Sequence, residues 1–562
     1  MSEAANSFFD HCTKSALNFV RTVLIADNQP FVSPSLPEPP KVAARKSSLF
    51  PGVVSSQEVD SSQGGLNEDE ASGSGTYGNH DIDLREIVNS FSRLGLVCGS
   101  YLPDNKTARD EIVDTTFLAA KFADISIIDW QLEVDNSQAA IGVIRKLLEY
   151  DLEVGGRLRL VLVYTGEPDL ESAAAELEKG LGHLARVCDT NKRLLNSESA
   201  RIRFINKPTR KDYTNNPDVV SWRDLPTRAI KEFTILSQGL LKAFALDSIA
   251  AIRNDTHRLL AQFSPCMDGV FAGQRSTASD PDDAGRLLTD VILSEFSITV
   301  NKAKIAERVV GKAGSVLWLG TQTGLQETNV NISFNAEGRD ISKLNSASKI
   351  QLVEDGFSGL KKLGGQQGGL KVCNSFFKSD EESEKAHKDF SVLSTLARHS
   401  GVGVARVVDT PPILTLGVVL RSLEPIVDTN IFEYILCLQP KCDAVRLDVL
   451  TNPRGFSFVE IVQCSSGYEL VLPIESTCET FNLPYKDLII RTIRFAASAG
   501  RSVVAAEKED SRWVFTDSSG KKWRWIAELR EQNSLSLVNK IMSSLTRVGL
   551  NQSEWLRLQS SK

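Results

Sequence analysis

The sequence predicts an α/β chain whose N-terminal part folds as a doubly wound parallel sheet of five strands, followed by a C-terminal α+β region. Three observations carry that reading. Short apolar runs at 20–26 (VRTVLIA), 96–101, 125–128, 157–164 (RLRLVLVY) and 201–206 (RIRFIN) have the length and aliphatic content of strands buried on both faces. Segments with helical spacing of apolar residues, at 84–94, 108–120, 139–150 and 170–187, lie between them. Such alternation is that of a parallel sheet with helices on both sides. Third, several runs stop at residues suited to chemistry, and in open α/β sheets ligands bind at the C-terminal edge of the strands.

Taken in order, the first run ends in Asp27-Asn28-Gln29-Pro30. The stretch 121–133, KFADISIIDWQLE, is a polar approach, an Ile-rich run and then Asp129, which places a carboxylate at the strand's outgoing edge. By itself Asp129 reads equally well as a turn cap. The run 157–164 ends in Thr165-Gly166-Glu167-Pro168, and 201–206 ends in Lys207-Pro208, where the proline stops the strand. From 217 to 263 a loop leads into one long helix, with Ile230, Phe233, Leu236, Leu240 and Phe244 recurring at helical spacing.

The length of 562 residues suggests two to four domains. With 41% hydrophobic and 24% charged residues the composition is ordinary globular, and the net charge of −7 without a basic block argues against nucleic acid as the main partner. No run reaches the roughly 18 apolar residues of a membrane helix. The first 19 residues, with Glu3 and Asp10, lack the basic lead and apolar core of a signal peptide. Nine scattered cysteines fit a reduced, cytoplasmic protein. Residues 30–81, Pro-rich and then rich in Ser, Gly and acids, bury too little to offset ordering entropy and read as a mobile insertion, a tolerated surface loop or a lid. The expected domains are 1–264, a linker at 265–284 and an α+β domain at 285–562.

In that last region 287–298 and 382–398 look helical, and 364–369 (GGQQGG) looks like a linker. Strand-like runs follow at 413–420, 456–462, 468–472 and 489–495, and 512–515 with 522–527 flank Asp517-Ser518-Ser519-Gly520, a hairpin signal. A final helix is expected at 534–548. Cys437, Cys442, Cys464 and Cys478 could hold zinc, yet their spacing matches no tight knuckle and buried cysteine is a common small hydrophobe. Asp443 and Arg446 stand where they could pair. His387 and His399 lie on or just past a helix, without the glycine motifs of a kinase.

Residues 19 to about 262 resemble the receiver domain of two-component response regulators, a flavodoxin-like fold. The resemblance implies roles: Asp129 as the phosphoryl-accepting aspartate, Thr165 as the hydroxyl that follows the phosphoryl group, Lys207 as its cation and Phe204 as the aromatic switch. It further implies a magnesium site from Asp27, Asn28, Asp129 and the backbone carbonyl of Gln131. Asn28 departs from the family's second acid, which implies weaker metal binding. Gln131 and Glu167 occupy positions similar to those that tune phosphoryl lifetime. With the stretches ILCLQPKCDAVRL and RVGLNQSEWL, the chain is similar to receiver proteins of Detocs-type bacterial anti-phage phosphorelays. That resemblance implies a non-enzymatic phosphate buffer, competing with an effector receiver protein for phosphoryl groups from a shared histidine kinase. Two other readings stay open: a degenerate receiver acting as a scaffold, and a receiver controlling an unrecognised C-terminal effector.

Overall fold

In the computed structural model the described residues are 3–31, 82–104, 106–133, 136–197, 199–208, 216–278, 281, 283–333, 340–356, 366–401, 410–426, 430–445, 447, 453–499 and 501–545. The expected insertion therefore lies almost wholly outside them, as do Arg446 and the stretch RVGLNQSEWL. The chain divides into two compact units, one of 12–153 and 157–238, the other of 1–11, 154–156 and 239–562. The expected linker at 265–284 falls inside the second unit, where Met267–Thr277 is helical.

The first unit follows the predicted alternation. Helix α1 (Glu3–Phe19), which the sequence reading did not anticipate, runs across the division and leads to β1 (Thr22–Ala26). Then come α2 (Leu84–Arg93), β2 (Val97–Tyr101), α3 (Arg109–Ala120), β3 (Ile125–Ile128), α4 (Gln138–Glu153), β4 (Arg159–Thr165) and α5 (Leu170–Leu181). Two strands, β5 (Arg186–Cys188) and β6 (Asn191–Asn196), precede β7 (Ala200–Asn206) and α6 (Leu225–Ser237). The sheet order is β2-β1-β3-β4-β7-β6-β5. The first five strands are parallel, in the order of a doubly wound sheet.

Two expectations are corrected. The sheet has seven strands and is mixed, because residues expected to continue the helix at 170–187 instead start a hairpin that adds antiparallel to the edge of β7. Gly182, at φ 65, ends α5, a backbone turn that favours glycine. The single helix expected within 217–263 is two, α6 and Leu240–Leu260, broken at Gly239 with φ 145.

Both faces of the sheet are buried, which is why its strands read as unbroken apolar runs. On one face α3, α4 and α5 pack Ile112, Ile144, Leu147 and Leu177 against Leu24, Ile128, Val163 and Phe204. The intervening residues Val23, Ile25, Ile127 and Ile205 are buried as well, as are Phe91 of α2 and Phe233 of α6. Each such side chain contributes roughly 1.5–3 kcal/mol on burial. Beneath β4, Arg159 grips Asp151 of α4 through two bonds of 2.5 and 2.6 Å and donates to the carbonyls of Ala120 and Lys121.

The second unit is α+β. Helices Leu240–Leu260, Met267–Thr277, Asp283–Lys302 and Lys312–Thr321 lead to a strand pair, Thr328–Ser333 with Asp340–Leu344, and three more helices. One of these, Gln366–Asn374, begins within the expected 364–369 linker. A ten-stranded sheet follows. Its strands include Leu396–His399, Val418–Ser422, Tyr434–Cys437, Arg454–Gln463 and Lys522–Leu529, the first of them taking residues expected to be helical. The expected hairpin forms at 512–529: Asp517 accepts from the Ser519 and Lys521 amides and from the Trp523 indole, and Gly520 takes φ 87. Among the described residues no single helix is long and apolar enough to cross a membrane.

Candidate functional site

Parallel register brings four strand ends to one rim. Ala26 pairs with Ile128, Ile128 with Val163, and Thr165 with Asn206. The next residues out, Asp27, Asp129 and Lys207, therefore leave the sheet together beside Thr165. Backbone bonds hold them there, from the Asp129 amide to the Ala26 carbonyl at 2.8 Å and from the Lys207 amide to the Thr165 carbonyl at 2.8 Å.

The side chains converge. Lys207 Nζ donates to Asp27 Oδ2 at 2.7 Å and to Asp129 Oδ2 at 3.0 Å, and all three side chains are essentially excluded from solvent. Asp27 Oδ1 accepts from the Gln29 amide at 2.9 Å. One ammonium faces two carboxylates, so an excess of one negative charge is buried. Burial, then the neighbouring Asp129 charge, push the Asp27 carboxyl up from 3.8 to about 7, against the opposing pull of Lys207. Burial lowers the pKa of Lys207, but Asp129 and Asp27 outweigh it and hold the ammonium above its ordinary value.

The remaining predicted residues surround this trio. Thr165 is fully buried and its hydroxyl accepts from the Glu167 amide at 3.1 Å. Phe204, three residues before Lys207, is fully buried and meets the Trp130 ring edge-on. Gln131 sits partly exposed in the turn after β3. Asn28 Oδ1 and Asp129 Oδ1 are buried oxygens with no hydrogen-bond partner.

Three neighbours escaped the sequence reading. Tyr164 donates to the Val220 carbonyl at 2.7 Å, and burial with the Asp27 charge raises its phenol well above the ordinary range. Asn206 Nδ2 donates to the Glu167 carbonyl at 2.7 Å, tying β7 to the loop after Thr165. Asp218 takes bonds from Arg193 at 2.6 Å and Arg203 at 2.5 Å, while the Asn206 amide donates to its carbonyl. Each is polar and carries no spacing signal; only the folded rim groups them.

The second-unit candidates do not assemble. Cys437 is fully buried in the sheet core, where burial pushes its thiol up to about 12, and Cys442 is exposed. His387 packs edge-on against Phe377. The described residues hold no group of three or more His, Cys, Asp or Glu able to take a metal.

Five parallel strands in this order, with two aspartates, a lysine and a buried hydroxyl at their C-terminal rim, have the arrangement of a phosphoacceptor regulatory domain. Residues 19–212 match the family model of the response receiver domain, so the chain carries a response-regulator receiver. No curated protein and no solved structure matches the chain. Receiver domains generally bind magnesium at the phosphorylation site and interact with histidine kinases. The residues here fit that ion: the two unpartnered buried oxygens, from Asn28 and Asp129, beside the Asp27 carboxylate, make a hard, all-oxygen set.

Proposed function

We propose that this protein is a response regulator in which Asp129 receives a phosphoryl group from a histidine kinase. The observation that carries the reading is the Lys207 ammonium lodged between Asp27 and Asp129, with Asp129 Oδ1 buried and unpartnered. A carboxylate oxygen of Asp129 attacks the phosphorus of the kinase phosphohistidine. The O–P bond forms as the N–P bond breaks, and the imidazole leaves with the electron pair and takes up a proton. Catalysis of such a transfer is positioning plus charge compensation. Lys207 and the Thr165 hydroxyl grip the phosphoryl oxygens. Asp27, Asn28, Asp129 and the Gln131 carbonyl are the groups that would hold Mg2+, and the ion would supply charge compensation for those oxygens. The added charge of about −1.5 to −2 then biases Thr165 and Phe204 between two arrangements. Labelling with acetyl phosphate and intact-mass measurement tests the site: a single phosphoryl adduct on wild type, absent from Asp129→Asn. Equal labelling of both removes Asp129 from the scheme.

The Detocs-type resemblance supports a finer reading, that this is a cytoplasmic, non-enzymatic phosphate buffer limiting activation of an effector receiver protein in anti-phage defence. Competitive transfer from the shared kinase decides it. A chain that does not slow effector labelling is no buffer.

Asn28 favours a second reading, a degenerate receiver serving as a scaffold, since an amide replaces a metal-binding carboxylate. Trp130 adjoins the site, so magnesium titration by tryptophan fluorescence separates the two. Saturable quenching lost in Asp129→Asn supports the phosphoacceptor; no response supports the scaffold.

A further inference from the structure

In the second unit, three consecutive helices leave apolar side chains in water. They are α7 (Leu240–Leu260), α8 (Met267–Thr277) and α9 (Asp283–Lys302). The Thr299 hydroxyl of α9 donates to Asp255 of α7 at 2.6 Å, and a turn further along α7 Arg258 reaches Glu295, a turn back on α9, at 3.5 Å. α7 and α9 are therefore an antiparallel hairpin. The sequence of α9, DAGRLLTDVILSEFSITVNK, is apolar around most of its circumference, the pattern of a helix packed inside a core. Yet of its described side chains only Ala284 and Thr299 are buried, and α8 buries none.

The exposed residues form one face. The pairing of Arg258 with Glu295 sets Leu260 and Leu293 at one level of the hairpin, 65% and 58% exposed. Ile249 lies eleven residues before Leu260, three helical turns, and shares its side of α7. Phe296 and Val300, half-buried, continue the stripe of Leu293 at helical spacing. Measured from the contact residues Asp255 and Thr299, both stripes are turned the same way about their helices by roughly 100°. In an antiparallel pair that places them on the same side. Scattered exposed apolar residues are ordinary, but a contiguous face marks an interaction surface.

We propose that a second copy of this chain docks on that face, the two hairpins packing into a four-helix bundle about a two-fold axis. Two helices of this length make a face about 30 Å long and about 20 Å wide, roughly 600 Å² in outline. A standard interface removes about 800 Å² of accessible surface from each partner, and interlocking side chains carry more area than their outline, so the face meets the need of a stable dimer. Ile249, Leu260, Leu293, Phe296 and Val300 are all uncharged, so two like faces meet without repulsion.

Sedimentation equilibrium of the full chain, from nanomolar to tens of micromolar, tests it. The mass rises with concentration to twice that of one chain. Leu260→Glu and Leu293→Glu each weaken the dimer by about a hundredfold or more, since a two-fold axis brings every change in twice. At a dilution where all are monomeric, both variants unfold at the wild-type urea midpoint, because these side chains already face water in the single chain. Should a variant fail to fold, hydrogen exchange on the wild type reads the same surface: the amides of α9 exchange more slowly at high concentration than at low. A chain that stays monomeric throughout, the face then belonging to another protein or to a membrane, overturns the proposal. So does a dimer that the folded variants leave intact, or exchange in α9 that ignores concentration.

Discussion

The rings of Trp130 and Phe204 meet edge-on, with centroids 5.4 Å apart and planes at 67°. Trp130 follows Asp129 directly and Phe204 precedes Lys207 by three residues, so this contact joins the two ends of the acceptor site. The contact packs the turn after Asp129 against β7, the strand that carries Lys207 out to the rim.

Phe204→Ala removes a fully buried ring and costs roughly 3–5 kcal/mol, whereas Phe204→Leu costs less and leaves the indole without its aromatic neighbour. In Phe204→Leu the Trp130 emission change on adding magnesium and acetyl phosphate shrinks, although Asp129 is still labelled. An undiminished change would show that Phe204 plays no part in the response.

Asp27 gives the receiver an unusual pH profile. Its native carboxyl titrates at about 7, above the ordinary 3.8, because burial and the Asp129 charge oppose ionisation. The folded state thus binds this proton more tightly than the unfolded chain. The stabilisation it brings is complete below about pH 4 and is lost as pH rises through 7. Asp27→Asn leaves Lys207 with a single carboxylate and raises the urea midpoint, in the absence of divalent cations, more at pH 8 than at pH 5. The gain at pH 8 is roughly 1 kcal/mol, as for other relieved functional sites. A lower midpoint at pH 8 would refute it.

Asp151 and Arg159 form a pair with side chains only 4% and 1% exposed. Asp151→Asn strands the guanidinium and costs about 3–5 kcal/mol, while replacing both partners by Leu and Met is nearly neutral. Equal losses in the single and double variants, measured by urea denaturation, would contradict this.

Asp218 anchors the chain that returns beside Asn206. Burial raises its carboxyl pKa, but bonds from Arg193 and Arg203 outweigh that and hold it below the ordinary value. Its contribution is present above about pH 4 and is lost as pH falls through the depressed native value. Asp218→Asn therefore loses roughly 2 kcal/mol at pH 7, a gap that closes in acid. A gap independent of pH would mean that Asp218 acts through shape alone.

The five parallel strands and the rim residues Asp27, Asp129, Thr165 and Lys207 were legible in the amino-acid string. A strand buried on both faces must be apolar throughout, and the polar residue that ends it is then conspicuous. The hairpin 186–196 was not legible, because RVCDTNKRLLN is set as a hairpin by the pairing of β6 with β7 rather than by any apolar period of its own. Nor was the break at Gly239, which interrupts an apolar spacing continuous across it. Contacts between groups far apart along the chain, such as Lys207 with Asp27 and Trp130 with Phe204, exist only once strand order and register are set. Register is a property of pairs of strands, and no single stretch of residues contains it.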